Sequence, residues 1–418
     1  SRAAKLGRPV LVYFSIPDWD EVVLHQRPSL QSIVQQKYVA TRVNPFYRPD
    51  VAARFSTDGW PAIVLTLPDG RPFAAAVDIA HDNLELYLLR QARNFAEKRS
   101  VIESKLEPPT ALKLKQPVTA DQVFLIIEAQ FDPAHGGFGA TGPKYLHAPV
   151  LRFLASYGSQ DAVAMIQRTL DSTLGSAMHS TDGGLFSFSY SPDWRTPGPE
   201  QDVADHAHLL CAMLGEGQPT PDALEVSKRL FEEMAAAFFD RERGVFHGRR
   251  RRDEDGDWSV DPAIYTGRNA VAIRACVAVF SHLVDERAWE MACRAIQYLL
   301  GNNMTDGGLF YHHSGTPEGA ELVLAEDQAL AALAMFDLAA LDPEAPWMDR
   351  AWRIAEELKR HDERLETAAP ASPATVELLW RQGERQAARA LILEGTEWNR
   401  SLDLTAEYGR ALLTVGLR

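Results

Sequence analysis

The chain has 418 residues, of which 46% are hydrophobic and 24% are charged, as in folded globular proteins. The length predicts two or more domains, because one hydrophobic core rarely serves so long a chain. Lysine and arginine number 43 and acidic residues 57, and this net charge of −14 argues against a nucleic acid or an anionic membrane surface as partner.

The cysteines and the hydropathy pattern limit the class of protein further. Cys211, Cys276 and Cys293 have no CxxC spacing and predict buried free thiols rather than the disulfides of a secreted protein. No stretch is long and apolar enough to cross a bilayer, and no signal peptide is visible. These features favour a cytoplasmic location, while the start at Ser1 leaves an upstream targeting or anchoring segment open.

Strand and helix patterns alternate at the beginning of the chain. Short apolar runs bounded by turn residues indicate strands, and the segments between them favour helices. The alternation predicts an α/β domain over residues 1–105, followed by a linker with prolines and lysines at 107–117. The predicted strands are 9–14, 38–43, 62–67 and 73–77, and the predicted helices are 29–36 and 83–97.

Two motifs in this domain stand where a thioredoxin-like fold has its active site. Pro17-Asp18-Trp19-Asp20 follows the first strand, and Gly59-Trp60-Pro61 precedes a later apolar run. Thioredoxin-like domains have two redox cysteines in the first motif and a cis-proline in the second, and Pro61 is the predicted counterpart of that proline. Pro17 and Asp20 occupy the cysteine positions, and neither can form the thiolate that disulfide exchange requires. The domain is therefore predicted to be thioredoxin-like and redox-inactive.

The altered motif has two interpretations. A proline in a first helical turn, with acidic residues near the helix N-terminus, gives a stable helix start that needs no further function. Alternatively, Trp19, Trp60 and Pro61 form a groove that binds a peptide. The sequence leaves both interpretations open.

Beyond the linker, one helical pattern follows another. A corner recurs between helices, for example Thr181-Asp182-Gly183-Gly184-Leu185-Phe186 and Thr305-Asp306-Gly307-Gly308-Leu309-Phe310, in which glycine supplies positive φ and an aromatic ring fills the groove between helices. Recurrence every roughly fifty to sixty residues indicates helical hairpins. Six hairpins predict an all-α (α/α)6 toroid over residues 118–418, with an open solenoid as the alternative. The predicted helices are 118–130, 148–157, 160–178, 201–215, 220–238, 267–282, 286–301, 324–341, 346–361, 373–381, 384–392 and 403–416.

Several short motifs, in the same order along the chain, resemble those of one family. The first domain has Gly59-Trp60-Pro61 and Pro68-Asp69-Gly70-Arg71-Pro72-Phe73. The second has Gly136-Gly137-Phe138-Gly139, Pro143-Lys144-Tyr145-Leu146 and Tyr265-Thr266-Gly267. Together they resemble the family of spermatogenesis-associated protein 20 and its bacterial relatives over nearly the whole chain. The resemblance implies a thioredoxin-like domain joined to a six-hairpin, glycosidase-like toroid.

The chain departs from this family at polar positions. The family's redox cysteines are lost, and a family histidine and lysine fall on Gly198 and Gln201. Glu200 and Asp205 match the family pattern. The resemblance therefore implies the fold more directly than it implies a reaction.

Acidic residues near predicted helix starts are the candidate catalytic groups of the toroid. Glu200 and Asp205 could protonate a glycosidic oxygen or move a sugar proton, and Glu326 and Asp327 could supply a second carboxylate. Acidic residues in first turns also stabilise helices without any catalytic role. No spacing distinctive of a metal site occurs, and neither a metal nor a cofactor is predicted. The further candidate ligand-binding residues are Asp202, His206 and Tyr265.

Aromatic residues near the turns could stack on sugar rings or simply pack between hairpins. His312-His313 is predicted to be a pair of exposed loop histidines. Besides Tyr265, the aromatic candidates are Phe188, Tyr190, Trp194, Trp258 and Tyr311.

The first predicted function is a binding or scaffold protein for a peptide, a protein or a carbohydrate. The alternative is a carbohydrate-active enzyme, of glycosidase or sugar-epimerase type, that uses carboxylates inside the toroid. A subunit of a larger assembly is a third hypothesis, for which a large exposed apolar patch would be the sign.

Overall fold

A computed structural model describes most of the chain, which divides into two compact units, Ser1–Lys115 and Gln116–Arg418. Each unit has its own hydrophobic core. The residues described are 2–16, 27–55, 61–77, 81–106, 119–215, 218–362, 373–386, 388–389, 392 and 401–418.

The first unit contains a four-stranded mixed sheet. Its elements are β1 (Val10–Phe14), β2 (Val39–Val43), β3 (Ala62–Thr66) and β4 (Pro72–Val77), with helices α1 (Arg2–Leu6), α2 (Pro28–Lys37), α3 (Pro49–Ala52) and α4 (His81–Lys105). The strand order is β2-β1-β3-β4; β1 runs parallel to β2 and antiparallel to β3, and β3 runs antiparallel to β4. β1 and β3 occupy the centre because they are apolar and almost wholly buried, whereas both outer strands have exposed positions.

Successive side chains of β1 enter two different cores, because neighbouring residues of a strand point to opposite faces of a sheet. Leu11 and Tyr13 pack with buried leucines of α2 and α4. Val12 and Phe14 pack on the other face, with Val51 of α3. Both faces of the sheet are therefore covered, which explains why β1 is apolar throughout.

The second unit is a succession of helices. They are α5 (Ala120–Glu128), α6 (Ala148–Tyr157), α7 (Gln160–Leu174), α8 (Val203–Leu214), α9 (Pro221–Phe238), α10 (Thr266–Leu283), α11 (Glu286–Asn302), α12 (Ala325–Leu341), α13 (Trp347–Asp362), α14 (Pro373–Arg381) and α15 (Leu402–Thr414). A further helix predicted at 384–392 is described at 385–386, 388–389 and 392, and these residues are helical.

Six of these helices form a closed inner ring. α6 packs on α8, α8 on α10, α10 on α12, α12 on α14, α14 on α15, and α15 back on α6. Nearly every residue in the first three turns of α10, and most of α12, is buried, because their many alanines let helices approach from both sides. The ring is closed, so the predicted (α/α)6 toroid is found and the open solenoid is not.

The long connections all lead from an outer helix to an inner helix, so they lie at the N-terminal ends of the ring helices. Glycines at the predicted corners have the expected positive φ, for example +83° at both Gly184 and Gly308. A Cβ on Gly184 would also approach His206 Nε2 to 3.0 Å. Short strands join these connections: β5 (Lys144–Tyr145), β6 (Phe188–Ser189), β7 (Glu200–Asp202), β8 (Phe239–Asp240), β9 (Val245–Phe246), β10 (Arg249–Arg252), β11 (Trp258–Val260), β12 (Ile264–Tyr265) and β13 (His313–Ser314).

A buried polar side chain on the adjoining inner helix holds three of the corners. Asn269 exchanges two hydrogen bonds of 2.9 Å with the backbone of Phe246. Gln328 exchanges two of 2.7 Å with the backbone of Phe310, and His206 accepts one of 2.9 Å from the N–H of its own corner. Each of the three is the fourth residue of its helix and is fully buried. In each of these three cases, the hydrogen bonds of one buried side chain therefore hold the start of the inner helix to its corner.

The predictions about membrane spans and cysteines can be compared with the described residues. None of the helices described combines the length and the hydropathy that a bilayer crossing needs. All three cysteines are free thiols; Cys211 and Cys276 are buried, and Cys293 is half-buried.

We expect Gln328→Leu to lower the free energy of unfolding by about 2–4 kcal/mol, because leucine leaves the buried N–H and C=O of Phe310 without partners. Urea unfolding of the full chain measures the effect. Gln297→Leu, on the exposed face of α11, is the matched control and should change stability by less than about 0.5 kcal/mol. Equal effects of the two substitutions would contradict the role given to Gln328.

Candidate functional site

Carboxyl groups gather where the inner helices begin, around the axis of the ring. Asp205 lies in the first turn of α8, Glu326 in the first turn of α12, and Asp403 in the first turn of α15. Glu407 follows one turn after Asp403 on α15. We call the space that these four residues face the acidic mouth.

Asp205 is held in an environment that disfavours its charge. Its Oδ2 accepts a 2.6 Å hydrogen bond from the hydroxyl of Ser187. Burial, and next the negative charge of Asp202, raise the pKa of Asp205 to about 7. At neutral pH this carboxyl group is therefore protonated in a large fraction of molecules, which is the state that a general acid or base needs.

Asp403, near the C-terminal end of the second unit, contacts a residue near the beginning of that unit. Its Oδ1 lies 3.0 Å from Nδ1 of His147, the N-cap residue directly before α6. Burial lowers the pKa of His147, but the Asp403 carboxylate, with help from Asp205, outweighs it and the net change is upward. The acidic mouth therefore also contains an imidazole that tends to be charged.

Glu326 is exposed to solvent and yet is surrounded by protein atoms, as a residue in the floor of a deep concavity would be. Desolvation, followed by repulsion from Glu407 and Asp327, raises the pKa of Glu326 to about 8. Burial also raises the pKa of Glu407, against the opposing effect of Arg410. The mouth thus has two carboxyl groups, of Asp205 and Glu326, with pKa values of about 7 and about 8.

Asp327 and His312 form a separate buried pair beside this mouth. Nδ1 of His312 lies 2.7 Å from Oδ2 of Asp327, and both side chains are buried. His313 is also buried, so the prediction of two exposed loop histidines is wrong. The loop contains β13, and the pairing of β13 with β12 buries both histidine rings.

Glu200 and Asp202 are engaged by arginines. The structure places Glu200 in strand β7 and not at a helix start, and its carboxylate is paired with Arg249 of the neighbouring strand β10. Asp202 caps α8 by accepting from the N–H of Ala204 at 2.9 Å, and it is paired with Arg268 at 3.0 Å. Burial opposes ionisation of Asp202, but Arg268 and Arg249 together lower its pKa. Both carboxylates are therefore engaged by arginines and serve to fix β7 and the start of α8.

Two predicted ligand-binding residues, His206 and Tyr265, have buried side chains. His206 is fully buried; its Nδ1 donates to the carbonyl of Asp202 at 2.8 Å, and its Nε2 accepts from the corner backbone. Burial lowers its pKa to about 4, so the ring is neutral. Tyr265 is also fully buried, and its hydroxyl donates to Asp261 at 2.7 Å. Neither side chain can reach a ligand in this conformation.

Aromatic rings line the rim of the mouth in a continuous row. Tyr145 has 40% of its surface exposed and lies 5.9 Å from the ring of His147 and 5.4 Å from that of Phe188. Phe188 in turn lies 5.2 Å from Tyr190, which is 60% exposed. Exposed aromatic faces beside carboxyl groups are suited to stacking on a sugar ring.

The other sequence candidates lie elsewhere. Trp194 is fully buried, and Trp258 is half-buried against Phe186 and Arg250. Pro61 is half-buried directly before β3. Tyr311 is half-buried, and Pro17, Trp19, Asp20 and Trp60 lie outside the described residues, so the predicted groove and the predicted cis bond stay predictions.

No group of metal-ligating side chains with the geometry of a metal site is found in the part of the chain that the structure describes. The chemistry available at the mouth is that of carboxyl and imidazole groups. Proton transfer and hydrogen bonding are the functions that such groups perform without further help.

The closed ring of six hairpins with its long connections at one end defines a class, the (α/α)6 toroids, and solved structures of this class resemble the chain. A D-mannose isomerase superposes with a TM-score of 0.54 and 9% identity, over 71% of this chain and 96% of the isomerase. A cellobiose 2-epimerase from Spirochaeta thermophila superposes with a TM-score of 0.52 and 15% identity, over 69% and 80%. A family 76 glycoside hydrolase, a mannosidase from Bacteroides thetaiotaomicron, gives 0.50 and 13%, over 71% and 98%.

These similarities show the fold of the second unit. At the level of sequence, no protein-family model and no curated protein matches the chain. The chemistry of the acidic mouth is therefore argued from the residues of this chain.

Sequence analysis missed His147, Asp403 and Glu407, which the ring closure brings to the mouth. It also missed that Asn269 and Gln328 are the fourth residues of their helices, as His206 is of α8. A polar residue at the fourth position of three successive inner helices, α8, α10 and α12, was the available signal for this set. Nothing in the local sequence around Asp403 distinguishes it from an ordinary acid in a first helical turn.

We expect the stability of the protein to fall as pH rises from about 4 to 7, because Asp205 has a pKa of about 7 when folded and about 3.9 when unfolded. The folded state binds the additional proton in this window, so ionisation above it costs stability. Asp205→Asn removes the charge and keeps the Ser187 contact. Urea unfolding at pH 5 and pH 8 should show that this variant gains roughly 2 kcal/mol over the wild type between the two values.

Asp255→Asn, in an exposed loop, is the control for that measurement. Its stability should follow that of the wild type at both pH values. Parallel pH dependence of Asp205→Asn and the wild type would show that Asp205 titrates normally.

Proposed function

We propose that the second unit is a carbohydrate-active domain that transfers protons to and from a sugar at the acidic mouth. The observation that carries this proposal is the set of solvent-accessible carboxyl groups at the inner-helix starts, with Asp205 at a pKa of about 7 and Glu326 at about 8. Perturbed groups of this kind are common in active sites, because a catalyst works best with a pKa near the working pH.

Each side chain of the mouth has a role that follows from its pKa and its contacts. Asp205 has the pKa nearest to neutrality and is the group able to accept or donate a proton at physiological pH. Glu326, which is mostly protonated at pH 7, is suited to donate one. His147, paired with Asp403, is suited to a hydrogen bond with a sugar hydroxyl or carbonyl oxygen. Glu200 is left out, because its carboxylate is already paired with Arg249.

The row of Tyr145, Phe188 and Tyr190 would bind the apolar face of a sugar ring beside these groups. The neighbours of known activity include isomerases, epimerases and a mannosidase, which supports a carbohydrate as the ligand class. Epimerisation or isomerisation is favoured over hydrolysis, because Asp205 and Glu326 have raised pKa values and the neighbouring Glu200 and Asp202 are bound to arginines.

Wild-type protein incubated with a panel of aldoses, ketoses and β-linked and α-linked disaccharides should convert at least one of them, as followed by one-dimensional proton NMR. Asp205→Asn should lower kcat/KM at least 100-fold, the usual size of an acid–base contribution. Asp255→Asn should retain full activity. Absence of both binding and conversion at millimolar sugar concentration would refute the proposal.

A second function is favoured for the first unit. We propose that it is a thioredoxin-like domain used for recognition and not for redox chemistry, and that the resemblance to the spermatogenesis-associated protein 20 family reflects common descent. The strand order β2-β1-β3-β4, with one parallel pair and helices after β1 and β4, supports this. All three cysteines of the chain lie beyond residue 210, so this unit has no thiol.

The protein should show no turnover in an insulin-reduction assay with dithiothreitol, because disulfide exchange requires a thiolate. A conventional thioredoxin is the positive control. Turnover that depends on residues 15–21 would refute the redox-inactive assignment.

A further inference from the structure

A second cavity lies at the end of the ring opposite to the acidic mouth. It has a volume of about 520 Å³ and is lined by residues from all six inner helices, most of them in the second half of each helix. A volume of this size accommodates a small metabolite. Its charged lining residues are Arg152, Arg274, Arg381, Arg410, Asp337 and Glu377.

The charges of this cavity do not balance. Asp337 and Glu377 each have a lowered pKa, because buried arginines outweigh the cost of their own desolvation, so both are ionised. Among the lining residues described, four guanidinium groups therefore face two carboxylates. Arg274 donates to Asp337 at 2.7 Å and to Glu377 at 2.8 Å, and Arg381 is paired with the same two carboxylates.

Two of the arginines lack carboxylate partners at hydrogen-bond distance among the described residues. The side chain of Arg152 reaches only Nδ1 of His208, at 3.5 Å, and is buried. Arg410 lies 3.8 Å from Glu377, and its buried Nε has no hydrogen-bond partner in the described part of the chain. Desolvation and the neighbouring charge of Arg152 lower the pKa of Arg410 to about 10. An interior guanidinium in this state gains from an added anion.

Helix dipoles do not account for these arginines. The C-terminal end of a helix attracts cations, but this effect is confined to the last turn. Arg152 lies five residues before the end of α6, and Arg274 lies nine before the end of α10. Their charges are therefore directed at the axis of the ring rather than at the helix ends.

We propose that this cavity binds a phosphate-bearing ligand of about the size of a monosaccharide phosphate, between Arg152, Arg381 and Arg410. A phosphate monoester carries close to two negative charges at pH 7, which matches the surplus of two guanidinium groups. Arginine is suited to this ligand because its planar fork forms two parallel hydrogen bonds with phosphate oxygens. The half-buried ring of Trp380 on α14 also lines the cavity and offers a face for the remainder of the ligand.

Isothermal titration calorimetry of the full chain with glucose 6-phosphate, glucuronate and glucose tests the proposal. These probes have similar size and carry about two, one and no negative charges. We expect affinity to fall in that order. Equal affinity for glucose and glucose 6-phosphate, or no binding of the phosphate at millimolar concentration, would overturn the proposal.

Substitutions locate the site. Arg410→Gln and Arg381→Gln should each weaken binding of glucose 6-phosphate about tenfold or more, because each removes a charged hydrogen bond. Arg381 is more exposed than Arg410, so this variant keeps the test valid if Arg410→Gln does not fold. Arg353→Gln, exposed on the outer helix α13, should bind as the wild type does. Unchanged affinity in both cavity variants would overturn the assignment.

Asp205→Asn separates this site from the acidic mouth. The variant should bind glucose 6-phosphate with unchanged affinity, because Asp205 is not among the residues that line the cavity. Loss of phosphate binding in this variant, with retention in Arg410→Gln, would place the ligand at the wrong end of the ring and refute the second site.

Discussion

The arginine–carboxylate network across the ring axis is the constraint on which the second unit depends. Arg274 of α10 binds Asp337 of α12 and Glu377 of α14, so one guanidinium fixes the register of three inner helices. Buried charges of this kind are tolerated only when each has a well-placed partner, and removal of one partner is strongly destabilising. The network also closes the axis: only a void of about 20 Å³ remains between its arginines and Glu326 and Glu407. The two ends of the ring are thereby electrostatically different, acidic at the helix starts and cationic at the helix ends.

The first turns of three inner helices, α8, α10 and α12, have a structural position in common. The fourth residue of each, His206, Asn269 or Gln328, is buried and bonded to the corner backbone. In α8 the residue one position earlier, Asp205, instead faces the mouth, since successive helical residues differ in direction by about 100°. The corner thus fixes the helix start, and the fixed helix start positions the carboxyl group. A side chain held in this way is well placed for proton transfer, which requires accurate geometry.

The first unit depends on the packing of its two central strands. The sheet is stabilised by the apolar strands β1 and β3, whose side chains fill cores on both faces. No cysteine contributes to those cores. The stability of the sheet therefore does not depend on a thiol.

The sequence by itself determined the strands of the first unit, the helices of the second, the glycine corners and the number of hairpins. These depend on hydrophobic periodicity and on glycine conformation, which are set by neighbours along the chain. Only the tertiary structure decided which polar residues form the site. Asp403 reaches His147 because the ring closes, Glu200 is neutralised by Arg249 from another strand, and Tyr265 is covered by the loop of His312. The pKa of a carboxyl group depends on the charges and on the desolvation around it, and in this protein both come from residues distant in sequence.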